Sequence, residues 1–454
     1  MKTEKLKQNV KGYVHQFEDG GLRLLRKGQK GVIHAIFSRF GLVLILLLLQ
    51  VGLLFSIFRW FGNLWPHYFG GSVVVTSAMV IYLLNSKMDN SAKITWMVVV
   101  AIAPVVGIPM FFYVKSNFGH NILRKRLLEL EDQLRGWLPQ SQKAVEQLKA
   151  LEPGAASLAK YLYGRGGGFP VYQNTAMTYF PGGEAKFEEL LRQLERAEEY
   201  IFVEYFIIDE GLMWGKILEV LARKALQGVD VRVMYDGTCE FSTLPRNYPR
   251  LLEKLNIQCK VFSPVQPFVS THYNYRDHRK ILVIDGRVGF TGGVNLADEY
   301  INHIQKHGRW KDAAVMLEGE AVRSLTAQFL QMWGILKEPE YEQFLTRPIP
   351  VPENAKGVAA PYGDCPLDGE RVGEMVYIDL LNRARDYIHI MTPYLILDGE
   401  LETALKFAAE RGVDVHLILP GKPDKRFPYA LAKSHYSALL DSGVKISEWS
   451  PGFV

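Results

Sequence analysis

Cysteine is scarce. The chain has 454 residues but only three cysteines, Cys239, Cys259 and Cys365, and no two share a disulfide-like or ligand-like spacing. A disulfide-stapled scaffold and a cysteine zinc site are not expected, and the three read as isolated reduced thiols. An excess of one charge is lacking too. The 53 Lys and Arg nearly cancel the 48 Asp and Glu, giving a formal net charge of +5. That balance argues against a nucleic-acid binder that relies on bulk charge, and it allows a local anionic site. A cleavable signal peptide is not expected either, because 39 mostly polar residues precede the first long apolar run.

Long apolar runs are confined to the N-terminal quarter. Phe40 to Phe58, "FGLVLILLLLQVGLLFSIF", has only Gln50 as a strongly polar residue. Ile94 to Val114, "ITWMVVVAIAPVVGIPMFFYV", has no charge. Both reach the ~17–25 residues that a membrane helix needs. Phe69 to Leu84 between them is shorter, a thin span or a re-entrant piece. Two or three transmembrane helices over residues 40–114 are therefore expected, with a multi-pass location in the cell membrane. Nine Lys and Arg in the first 39 residues favour a cytoplasmic N-terminus, and the catalytic domain is expected on the cytoplasmic side. Residues 115–168 read as a juxtamembrane segment. Its stretch Asn121 to Leu138, "NILRKRLLELEDQLRGWL", has leucines at helical spacing, and either lies on the membrane surface or packs as an ordinary helix.

Past "GRGGGFP" the chain becomes α/β in character, and it repeats itself. Arg196 to Gly237 and Arg383 to Gly421 both run from "RAxxYI" through an apolar strand, a loop and an amphipathic helix to "GVDV" and a second strand. Strand–helix–strand order implies a parallel sheet with a right-handed crossover. The expected architecture is thus a first half over 169–335, a Pro- and charge-rich linker over 336–357, and a second half over 358–454.

The chemistry concentrates in Asp277 to Asn295, "DHRKILVIDGRVGFTGGVN". Asp285-Gly286 between β-branched runs predicts a two-residue hairpin, pairing Ile284 with Arg287. Counting outward sets Lys280 opposite Thr291 and His278 opposite Gly293, all on one face, with Asn295 following in parity. Such a cluster suits phosphoryl transfer. A neutral imidazole can attack phosphorus, an ammonium can neutralise the non-bridging oxygens, and Thr291 and Asn295 can donate hydrogen bonds. Gly293 leaves room for the phosphate. No carboxylate or histidine cluster at ligand spacing lies nearby, so no metal is inferred. Asp285 sits in the turn, away from His278, and reads as a turn former.

"HRKILVIDG" followed by "GFTGGVN" resembles the first HKD motif of the phospholipase D superfamily. In order along the chain, "KITWMVVVAIAPVVGIP", "VEYFIIDEG", "GVDVRVMYDG", "YRDHRKILVIDG", "TGGVNLADEYI", "APYGDCPLD", "TPYLILDGEL" and "AAERGVDVHLILPG" are similar to bacterial cardiolipin synthases, over nearly everything after residue 58. The resemblance implies a duplicated phospholipase D-type α/β domain. It implies transfer of a phosphatidyl group between two phosphatidylglycerol molecules with release of glycerol, without metal or nucleotide. His278, Lys280 and Asp285 take the catalytic motif positions, with a phosphohistidine at His278. Lys280 and Asn295 match phosphate-binding positions. A second motif histidine would handle the proton of the alcohol.

Only one His-x-Lys occurs. The repeat offset, Gly228 to Gly412, places a second near position 462, past Val454, and "VKISEWSPGFV" resembles the run leading into it. The second half is therefore expected to be incomplete, with an exposed apolar patch where its hairpin would pack and with turnover impaired. Other readings remain open. One is a phospholipase or nuclease that uses water. Another is a non-catalytic membrane scaffold. A third is a homodimer that pairs two first motifs.

Overall fold

The computed structural model describes residues 65–88, 90–115, 118–263, 276–335 and 337–454. They fall into two units. One holds the helices Trp65–Leu84, Asn90–Ile102 and Pro104–Lys115. Met79, Leu83, Val100 and Phe111 form its small core, with the Trp96 ring edge-on to Phe111 at 5.2 Å.

Here the expectation of membrane-spanning helices is corrected. Among the described residues, no helix is long and apolar enough to cross a membrane. The run from Ile94 to Val114 is broken at Ala103, before Pro104, into helices of 13 and 12 residues. Proline has no N–H to continue the ladder and disfavours helix in the residue before it. The stretch Phe69 to Leu84 lies in the unbroken helix Trp65–Leu84, whose first half includes the weakly apolar Gly70, Gly71 and Ser72. The run Phe40 to Phe58 lies outside the described residues. A multi-pass arrangement is thus not supported.

The second unit carries the α/β fold. Its first half contains β1 (Thr175–Phe180), β2 (Tyr200–Tyr205), β3 (Asp230–Asp236), β4 (Gln258–Phe262), β5 (Lys280–Ile284), β6 (Val288–Gly292), β7 (Arg309–Trp310) and β8 (Ala314–Gly319). Seven of these form one sheet in the order β1-β8-β6-β5-β2-β3-β4. β2, β3 and β4 are parallel, and β5, β6, β8 and β1 continue antiparallel. The crossover helix Leu212–Leu226 buries Trp214, Ile217, Leu218 and Leu221 completely, at about 2 kcal/mol for each such side chain. They pack on Ile201, Val203, Leu282 and Ile284 on one face of the sheet. The opposite face presents Phe202, Ile281 and Val283 to the helix Val322–Trp333, where Phe329 stacks on Phe202 at 4.5 Å.

The helix Phe118–Trp137 turns its leucines inward. Leu127, Leu134 and the following Leu138 are buried in the same core as Phe169 and Leu345. Its apolar stripe is thus used by protein packing. The proline-rich stretch 336–357 carries a short helix, Tyr341–Leu345, and its Phe344 ring packs edge-on against Tyr200 at 4.8 Å.

The second half repeats the first. β9 (Tyr387–Met391), the helix Gly399–Glu410 and β10 (Asp414–Pro420) match β2, its crossover helix and β3. β11 (Lys445–Trp449) pairs parallel with β10 as β4 does with β3. β9 forms the edge of this three-stranded sheet, where β2 has β5 beside it. Apolar exposure is present there: Tyr387 is 65% exposed and Met391 40%. A short β12 (Gly452–Phe453) runs parallel to β7 and joins the halves. Phe453 is buried, 4.3 Å from the Trp310 ring.

Candidate active site

The hairpin forms at the expected place but in another register. Asp285 and Gly286 both have positive φ, +51° and +66°, and the Arg287 N–H bonds the Ile284 carbonyl at 3.1 Å. Arg287 then stays outside the β5 ladder, its carbonyl accepting from Gly319 of β8. The ladder resumes with Ile284 opposite Val288 and Leu282 opposite Phe290. This one-residue bulge reverses the faces of everything after it. Phe290 shares the face of Leu282 and Lys280, so Thr291 points to the other face. Thr291 is thus separated from Lys280, contrary to the sequence reading.

Gly293 also differs from expectation. The space beside it is filled by Asp312: a Cβ on Gly293 would lie 2.1 Å from Asp312 Oδ1. Gly292, at φ +142°, also runs close to Ala313 and Ala314: a Cβ there would lie 2.6 Å from the Ala313 carbonyl oxygen and from the Ala314 Cα. The pair of glycines therefore serves a close approach to the 312–314 segment, and the Gly293 N–H bonds the Ala313 carbonyl at 3.0 Å.

Asp285 stays at the far end of β5. Its carboxylate accepts from the N–H groups of Glu198 (3.0 Å), Glu199 (2.8 Å) and Tyr200 (2.9 Å). It ties the hairpin turn to the start of β2 and does not join the cluster around His278.

His278 and Lys280 do meet. His278 is exposed at the N-terminal end of β5, with its ring 4.6 Å from that of Phe206. Lys280 is buried. Its ammonium donates to the His278 carbonyl at 2.5 Å and lies 5.3 Å from the centre of the Phe206 ring. Surrounding protein, then Lys280, then Lys425 of the second half push the His278 imidazole down to about 4. It is neutral at physiological pH. Burial lowers Lys280 to about 8, opposed by Asp277 and Asp312.

Asn295 is buried. Its carbonyl oxygen accepts from the Ile207 N–H at 3.1 Å, and its amide donates to the Tyr300 hydroxyl at 2.8 Å. It therefore clamps the loop after β6 onto the exit of β2. Nearby Asp298 caps the crossover helix, accepting from Leu212 and Met213 at 3.0 and 2.8 Å.

Several members were missed in the sequence. Lys186 is fully buried and donates to the Tyr205 hydroxyl and the Val294 carbonyl, both at 3.0 Å. Burial pulls it down to about 7, opposed by Asp312. Asp312 itself is raised by burial and held back by Lys186 and Lys280. Lys186 had a signal: it stands four and eight residues before Leu190 and Leu194, inside the apolar stripe of its helix. Asp236 at the end of β3 accepts from the Asp277 N–H at 3.0 Å and so holds the residue before His278. Behind it, Glu204 is fully buried, 3.7 Å from Arg279. Burial first, then Asp277, raises it well above the usual carboxylate range. Asp312 and Asp236 lie far from the motif in sequence and left no signal.

A chain of contacts runs from this site to the second half. Asn295 bonds Tyr300, whose ring lies 4.7 Å from Trp310. Trp310 packs on Phe453, Phe453 meets Tyr394 at 6.4 Å, and the Tyr394 hydroxyl accepts from Lys425 at 3.0 Å.

A family model described as "Cardiolipin synthase, PLD-like domain" matches residues 190–333 and 377–453, one stretch in each half. An uncharacterized protein of Streptococcus mutans is 55% identical over 376 residues, 83% of this chain and 81% of its own. The cardiolipin synthase of Geobacillus kaustophilus is 34% identical over 388 residues, 84% of this chain and 76% of its own. That of Halalkalibacterium halodurans is 32% identical over 432 residues, 92% and 83% respectively. With its duplicated halves and the His278–Lys280 cluster at the end of β5, the chain belongs to the phospholipase D-like family of cardiolipin synthases.

Proposed function

We propose that this chain is a phosphatidyltransferase that makes cardiolipin from two phosphatidylglycerol molecules, releasing glycerol, and that it meets them at a lipid surface. The observation that carries the reading is the neutral, solvent-reaching imidazole of His278 beside the ammonium of Lys280. In the first step an imidazole nitrogen attacks phosphorus, and the bond from phosphorus to the glycerol oxygen breaks. The departing oxygen takes its proton from water, which reaches the exposed ring. In the second step the hydroxyl of another phosphatidylglycerol attacks the phosphohistidine and gives its proton to water as the N–P bond breaks. Lys280 offsets charge on the non-bridging oxygens in both steps. Asn295 and Lys186 position the loop after β6.

The exposure of His278 also favours a second reading, in which water replaces the acceptor alcohol and phosphatidic acid is released. Product analysis separates the two. The full chain, incubated with phosphatidylglycerol, is expected to yield cardiolipin and glycerol in equal amounts. Phosphatidic acid without cardiolipin would support hydrolysis, and no product from either route would overturn both.

A further inference from the structure

The loop after β10 carries a charged tip, of which the site electrostatics involve Lys425 through its effect on His278. Phe427, in the first turn of the helix Arg426–Ser434, is 79% exposed. Lys422, Lys425 and Arg426 beside it are exposed as well. The one acid in this stretch is turned inward: Asp424 is half-buried and accepts from the Tyr394 hydroxyl at 2.6 Å and from Lys425 at 3.5 Å. The loop is anchored against the first half, since a Cβ on Gly308 would meet the Lys422 stem at 3.2 Å. Lys425 then leads through Tyr394, Phe453, Trp310 and Tyr300 to Asn295.

A lone protruding ring ringed by cations is a poor protein-binding patch, which needs a contiguous apolar core. It is a good fit to a bilayer interface, where an aromatic ring settles at headgroup depth and cations meet anionic lipid. We propose that Phe427, with Lys422, Lys425 and Arg426, inserts into the surface of an anionic phospholipid bilayer and holds that surface over His278. This rests on the phosphatidyltransferase reading. It adds how a substrate whose acyl chains stay in the bilayer presents its phosphate to the imidazole.

The test uses the full chain and two forms of phosphatidylglycerol, long-chain lipid in vesicles and a short-chain form dispersed as monomer. Phe427→Ser is expected to raise the half-saturating vesicle lipid concentration about tenfold, with kcat within twofold and turnover of the monomer unchanged. Arg426→Ser is expected to raise it about fivefold, the contribution of one cation near such a surface, and Phe427→Trp to restore the normal value. Equal loss on both substrate forms, or no change on either, would overturn the proposal. A second measurement does not depend on turnover. Vesicles of brominated phosphatidylglycerol are expected to quench the added tryptophan of Phe427→Trp beyond the quenching of the unaltered protein, and phosphatidylcholine vesicles much less. Absence of that extra quenching would overturn the tip. If the unaltered protein turns over neither substrate form, the phosphatidyltransferase reading fails, and the quenching alone decides the tip.

Discussion

The ammonium of Lys280 donates to the carbonyl oxygen of His278 at 2.5 Å. One lysine therefore fixes the end of the strand that carries the imidazole and crowds the same imidazole with positive charge. Burial acts first and Lys280 second in lowering His278 to about 4.

A pH dependence follows. The nucleophile is the neutral form, so the rate is expected to be flat from neutrality down to roughly pH 5, one unit above the titration, and to fall below it. Lys280→Met removes the nearer cation, which eases protonation and raises the His278 value. Ring carbon shifts of labelled histidine, titrated in both proteins, check this. An unchanged value in the variant would show that Lys280 has no electrostatic hold on the ring.

Asp285 is expected to matter for stability more than for chemistry. Its carboxylate accepts from three backbone N–H groups, and Asp285→Ala leaves them without it. A loss of about 2–4 kcal/mol is expected in urea unfolding, with Asp285→Asn losing less because asparagine keeps an acceptor and tolerates positive φ. The folded fraction of Asp285→Asn should turn over at close to the normal rate.

The position of Asp285 shows where sequence reading succeeded and where it stopped. Asp285-Gly286 announced the hairpin, and the paired "GVDV" segments announced the two crossovers. The bulge at Arg287 was not announced, because its carbonyl bonds Gly319 of β8, far along the chain. That single residue moved Thr291 to the other face and left Gly293 to Asp312. The apolar run from Ile94 to Val114 counted as one span by composition, although Pro104 and Pro109 stood inside it. Lys186 could have been found as a lysine in an apolar stripe. Asp236 and Asp312 could not, since only the fold brings them to Asp277 and Lys280.

Gly293 and Asp312 are expected to be coupled. Gly293→Ala drives a methyl group into the Asp312 carboxylate, and a loss of several-fold in activity with about 1–3 kcal/mol of stability is expected. Adding Asp312→Gly should return part of the stability, so that the double variant is less damaged than the sum of the singles. Strict additivity in a double-mutant cycle would show that the two do not touch.

Lys186 is expected to set activity against stability. Its value falls from 10.5 to about 7 on folding. Between those values the unfolded chain binds the extra proton, so this group makes stability rise with pH from about 7 to 10. The rise is on the order of 4 kcal/mol. Lys186→Met should abolish it while lowering turnover, because the Val294 carbonyl loses its donor. Melting temperatures at pH 7 and pH 10 for both proteins measure the difference.

The most direct test of the central claim is the covalent intermediate. Full-length protein is mixed briefly with phosphatidylglycerol labelled at phosphorus, quenched in alkali and digested. The label is expected on the peptide bearing His278, stable to base and labile to acid, and absent from His278→Ala, whose cardiolipin synthesis falls more than about 1000-fold. Label on another residue, or a His278→Ala protein that still makes cardiolipin at the normal rate, would contradict the account.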